Sequence, residues 1–127
     1  MMAAQRGNTG PPAHVQVHGG SSTAVLIRIA RRYRADTHPP VAVLAELGGL
    51  EAGPVAEPSL AQLVRDEFAR SSIRALALVC PDPALRIALR LQLYLVAQPG
   101  GPRIAVFAAV PPARAWLAGP AGGVRQA

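Results

Sequence analysis

The sequence predicts an α/β domain of four β-α units, with helices packed on a mainly parallel sheet of at least four strands. Three observations predict it. Short runs rich in Val, Leu, Ile and Ala alternate along the chain with longer segments of helical spacing. Two of those runs, VAVLAEL and IRALALVC, show little polar alternation, as strands buried on both faces do. Gly, Pro, Ser or Asp stands at nearly every junction, where turns and helix caps are needed. Repeated β-α units imply parallel strands joined by crossovers of one hand.

The elements follow in order. Residues 1–12, with Gly7, Gly10, Pro11 and Pro12, read as a flexible leader. His14, Val15, Gln16, Val17 and His18 alternate as a strand, and Gly19 and Gly20 end it. Ser21, Ser22 and Thr23 offer N-caps for a helix to about residue 35, with Val25 or Leu26, Ile29 and Tyr33 on one face. Residues 36–40 turn the chain into a second strand over 41–47. A Gly/Pro-rich loop follows, and Ser59 caps a second helix. In it Leu60, Leu63, Val64 and Phe68 recur at helical spacing, while Gln62, Arg65, Asp66 and Arg70 face water.

Residues 73–80 form the third strand. Asp82 as N-cap with Pro83 at the first helical position opens a third helix to about residue 97. A turn over 98–102 leads to a fourth strand over 103–108. Pro111 or Pro112 starts a short helix that holds Ala115, Trp116 and Leu117, with Trp116 as a core plug. Residues 119–127 read as a tail, so the domain spans 13–118. Two stretches fit helix and strand alike. Residues 85–96 place Leu or Ile at every second position, and residues 24–34 carry the same ambiguity. Helix is the reading taken for both, for 85–96 on the Asp-Pro start, on length and on Arg86 and Arg90 four apart.

Composition narrows the class. At 127 residues the chain suits one domain, and 50% hydrophobic residues with 4% aromatics predict a core of Leu, Val, Ile and Ala. No apolar run is long enough to span a membrane, and MMAAQRGNTGPPA lacks the apolar centre of a secretory signal. A single Cys excludes an internal disulfide and accords with a reducing cytoplasm, the expected location. The net charge of +6 favours anionic partners. Every basic residue is Arg, as the codon bias of a GC-rich genome produces, which weakens the charge as a sign of nucleic-acid binding.

At this point the chain resembles a STAS-type domain, the fold of anti-sigma-factor antagonists, in its SpoIIAA-like branch, whose architecture is shared with CRAL-TRIO lipid carriers. The likeness covers about residues 14–118. It rests on VAVLAELGGLEA as a strand and loop, on SIRALALVCPDPALRIALRL as a strand, turn and Arg-bearing helix, and on the ending RIAVFAAVPPARAWL. The resemblance implies a bacterial, noncatalytic regulatory module that binds a protein partner and needs no cofactor. It places the contact on the loop after the second strand, with Gly48, Gly49, Leu50, Glu57 and Ser59 as contact residues. Family members carry an Asp-Ser-Ser-Gly-like phosphorylation site there. Here Glu57, Pro58, Ser59 and Leu60 occupy it, so Pro58 stands where the acceptor hydroxyl would be. Ser59 is then read first as a capping residue, and second as a neighbouring phosphoacceptor whose added charge a helix N-terminus tolerates.

Other residues supply alternatives. Arg28, Arg31, Arg32 and Arg34 form the densest basic cluster: a solvated helix face, or a contact for an anionic lipid surface. With Tyr33 as its one aromatic, the cluster makes no stacking platform for nucleic acid. Cys80 and Arg86 have the C-x5-R spacing of Cys-dependent phosphatases, the third function class considered. Against it, Pro81 and Pro83 remove N–H donors that a phosphate cradle requires, and Asp82 adds negative charge. His14 and His18 share a strand face without the further ligands that a metal needs, and Asp66 and Glu67 point to different helix faces. No metal or cofactor site is expected. Sequence says nothing of the oligomeric state.

Overall fold

The computed structural model describes residues 11–51, 58–97 and 99–119. Four strands, β1 (Ala13–His18), β2 (Val41–Gly48), β3 (Ile73–Val79) and β4 (Arg103–Phe107), alternate with four helices. The helices are α1 (Ser22–Arg32), α2 (Pro58–Ala69), α3 (Pro83–Val96) and α4 (Val110–Ala118). Every strand pairing is parallel, and the order across the sheet is β1-β2-β3-β4. The four-unit α/β fold is present, and both ambiguous stretches are helices.

A sheet that advances one strand at a time through crossovers of one hand must place their helices on one face. That face holds the main core. Val25, Leu26 and Ile29 of α1, Val64 and Phe68 of α2, and Leu89 and Leu93 of α3 close over Val43, Ala45, Leu76 and Leu78. Each large side chain so enclosed contributes about 1.5–3 kcal/mol. With no fifth strand to reach, α4 turns back over the other face, where Ala113 and Leu117 cover Leu44, Ala75, Ala77 and Val79. Trp116 is half-buried there, its ring 5.7 Å from that of Phe107. The central strands β2 and β3 are therefore covered on both sides, which explains their unbroken apolar sequence. At the edge, β1 alternates, with His14, Gln16 and His18 exposed.

The caps follow local chemistry. Ser21 Oγ accepts from Ala24 N–H (3.2 Å), and Asp82 Oδ1 accepts from the N–H groups of Ala84 (2.9 Å) and Leu85 (3.3 Å), with Pro83 opening α3. Among the boundaries that differ from the sequence reading, two have an evident local cause. α1 stops at Arg32 because tertiary hydrogen bonds draw the chain off the helical path. Tyr33 O accepts from Ser72 N–H (2.8 Å) and Ser72 Oγ (3.1 Å), and Ala35 N–H donates to Arg70 O (2.8 Å). α2 begins at Pro58, whose fixed φ suits a first helical position, so Ser59 lies in the first turn and not at the cap.

Candidate interaction surface

The loop that the sequence reading favours is, in its described part, an extension of the sheet. Gly19 N–H donates to Gly48 O (2.9 Å), Glu51 N–H donates to Gly20 O (3.0 Å), and Ser21 bridges to Glu51. The glycines serve this geometry. Gly49 holds a φ of 62°, and a Cβ on Gly48 would lie 2.8 Å from His18 Nδ1. Leu50 is half-buried and packs against the main core. Glu57 lies outside the described residues, as does the rest of 52–57.

The basic cluster divides among different partners. Arg28 Nη2 donates to Gly19 O (2.9 Å) and Arg34 Nε lies 3.6 Å from Asp36. Arg31 Nη2 donates to Glu67 Oε2 (2.8 Å) across the α1–α2 contact, and Arg70 Nη1 stands 3.9 Å from the same oxygen. That hydrogen bond and the positive charges of Arg31, Arg70 and Arg34 hold the Glu67 carboxyl below its usual range, against the opposing effect of burial. Arg32 is exposed and has no ion-pair partner among the described residues.

Cys80 directly follows β3 and is buried in the core, and burial pushes its thiol up. Arg86 does return to it, yet Nη1 donates to Cys80 O (2.9 Å) and Pro81 O (2.8 Å), closing the strand end. Asp82 already occupies the N–H groups at the start of α3. The C-x5-R spacing thus builds a capped strand-to-helix turn. Elsewhere, His14 Nε2 lies 2.5 Å from Glu46 Oε2, and no group of three His, Cys, Asp or Glu able to hold a metal occurs among the described residues.

What the strict alternation of residues 85–96 builds is different. Wound into a helix, a Leu at every second position falls on two opposite sides. Leu85, Leu89 and Leu93 are spaced four apart and turn inward with Val96. Ile87, Leu91 and Leu95 are also spaced four apart and turn outward, joined by Tyr94. Their exposures are 60%, 55%, 40% and 83%, so the helix carries an open apolar stripe. It runs about 12 Å along the axis between Ile87 and Leu95.

Polar contacts decide which side faces in. Gln92, only 3% exposed, accepts from Ser22 Oγ (2.5 Å) through Oε1 and donates to Thr23 Oγ1 (2.5 Å) through Nε2. Both ends of its amide are satisfied, and α3 is tied to the first turn of α1. Arg86 and Arg90 line one flank of the stripe, Arg90 Nη2 donating to Val106 O (3.2 Å). From Pro83 to the end, the sequence holds Arg86, Arg90, Arg103, Arg114 and Arg125 and no Asp or Glu. The surface is therefore apolar, with cations along one flank and no carboxylate on the helix. Its signal was in the sequence as that alternation, which the reading used only to choose between helix and strand.

Comparison of the chain with protein-family models, with curated proteins and with solved structures gives no match. Among the described residues no helix is long and apolar enough to cross a membrane.

Proposed function

We propose that the chain is a noncatalytic interaction module of the STAS-like kind, which docks an acidic amphipathic segment of a partner protein along the outward stripe of α3. The observation that carries it is the exposure of Ile87, Leu91, Tyr94 and Leu95 on a helix whose inward side already fills the core. A helix that is apolar on both sides is normally buried on both. We place the contact on α3 rather than on Gly48, Gly49 and Leu50, because those three are committed to the turn and the core.

Charge selects the occupant. Two copies stacked through α3 would bring Arg86 and Arg90 toward their own kind, with no carboxylate on the helix to offset them. An anionic membrane would favour cations around the whole stripe. Here Arg86 and Arg90 lie on one flank and are tethered to the carbonyls of Cys80, Pro81 and Val106, while Ala84 and Ala88 form the other. An acidic helix laid alongside can present its carboxylates to that single flank. The enclosed Cys80 supports a noncatalytic reading.

A synthetic helical peptide with Leu on one face and Glu on its flank is the probe, measured by calorimetry. Wild type should bind it, and the Leu91→Glu/Tyr94→Glu variant should lose at least about tenfold in affinity, about 1.4 kcal/mol. Both positions are exposed, so the variant should keep its circular dichroism and unfolding midpoint. Absence of peptide binding overturns the reading. So does a response to the same variant confined to phosphatidylglycerol vesicles or to self-association measured by light scattering.

A further inference from the structure

At the N-terminal edge of the sheet, away from the α3 stripe, lies an open groove of about 690 Å³, within the size range of small-molecule sites. We infer that this groove binds a small organic anion with a short apolar end, through Arg74 and Arg103 at its mouth and Phe68 within. The two arginines stand near the starts of adjacent strands: Arg103 pairs in register with Ala75, the residue after Arg74. Both are exposed, and neither makes an ion pair among the described residues. The two cations repel, and among the described residues no Asp or Glu lines the groove to relieve them. An anion bound between them would.

Backbone hydrogen bonds hold the walls. On one side the Arg34–Ser71 bridge and the bonds from Ala35 N–H to Arg70 O and from Ser72 N–H to Tyr33 O join the exits of α1 and α2. The turn before β4 forms the other wall, with Gly100 at a φ of 79°. His38 Nδ1 donates to Pro39 O (2.9 Å), a carbonyl that can only accept, and leaves Nε2 as a second polar group in the lining.

A second cavity of about 50 Å³ shares Phe68, Gly101 and Pro102 with the groove's lining and is otherwise lined by Leu93, Val96, Ala97 and Ile104, with Arg65 at its side. It has room for roughly three or four water-sized atoms, the size of a propyl group. The pairing of a cationic mouth with a small apolar end selects a short-chain carboxylate over a bare inorganic ion and over a long acyl chain.

Butyrate titrated at constant ionic strength against the labelled protein, followed by two-dimensional amide NMR, tests this. Saturable shifts are expected at Gly101, Arg103 and Ile104. The Arg74→Gln/Arg103→Gln variant, changed only at exposed positions, should weaken binding by about tenfold or more. Leu91→Glu/Tyr94→Glu should bind butyrate as wild type does, so the groove stands or falls apart from the docking surface. Equal shifts with chloride, an unchanged titration in the arginine variant, or a response to inorganic phosphate without one to butyrate would each overturn the inference. Tighter binding of decanoate than of butyrate would also overturn it, since it would point to an acyl chain lying elsewhere.

Discussion

α2 and α3 lie on the same face of the same sheet, yet they use their residues differently. α2 buries Ala61, Val64 and Phe68 and gives most of its other sides to Gln62, Arg65, Asp66 and Arg70, with Leu63 as the apolar exception. Its polar side chains are occupied within the fold: Arg65 donates to Leu95 O and to Gln62 Oε1, and Gln62 Nε2 donates to Asp66 (2.8 Å). α3 buries an equivalent set and then repeats it outward. Each helix is also anchored to α1 by one buried polar residue, Glu67 for α2 and Gln92 for α3. The difference teaches that α2 is complete within the fold, while half of the apolar surface of α3 does nothing for it.

The largest effect should come from setting the two sides of α3 against each other. Leu89→Ala removes a side chain that is 1% exposed and should cost about 2–5 kcal/mol in urea unfolding. Leu91→Gln, two residues on, should stay within about 0.5 kcal/mol of wild type. Equal losses would mean that the outward stripe is covered in solution, and the contrast with α2 would break.

Next in size is the anchor of α3. Gln92→Ala strands Ser22 Oγ and Thr23 Oγ1 without their partner, and should cost about 1–3 kcal/mol. Gln92→Leu sharpens the question, because it removes the polar group that distinguishes the inward side from the outward one. Broadened or doubled amide signals along α3 would indicate two rotational settings. A single sharp set would assign the choice to Asp82, Arg86 and Arg90 instead.

Most of the fold was legible because its signals are local. Caps at Ser21 and Asp82, the Gly19–Gly20 break and the apolar runs of β2 and β3 all act within a few residues. What escaped the sequence depends on partners distant along the chain. Nothing near Tyr33 announces that Ser72 will take its carbonyl and end α1 early, and nothing near Gln92 announces the hydroxyls of Ser22 and Thr23, about seventy residues away. The basic cluster on α1 was visible, but its division between Gly19, Glu67 and Asp36 was not. For the site, alternation over residues 85–96 was noticed and its consequence was missed: period two on a structure of period 3.6 must leave one apolar set outside.

The anchor of α2 should give the smallest effect, and its sign can be worked out. Glu67 is 5% exposed, and its Oε1 has no hydrogen-bond partner among the described residues, so the whole anchor is the Oε2 contact with Arg31 and the nearby Arg70. Arg31 is 59% exposed and can return to water when the contact is lost, which keeps the effect below that of Gln92. Because folding lowers the carboxyl below its ordinary value of 4.5, the contact stabilises the protein above that value. Its contribution fades as pH falls through the lowered value. The stability difference between wild type and Glu67→Gln should therefore be constant at neutral pH, then shrink as pH falls below the ordinary carboxyl value of 4.5 and through the lowered one. Arg31→Gln should remove most of that pH dependence while leaving the carboxylate buried, and so cost more than Glu67→Gln at neutral pH. A pH-independent difference would mean that the link between α1 and α2 is packing alone, and that Gln92 is the one polar anchor by which this face is held.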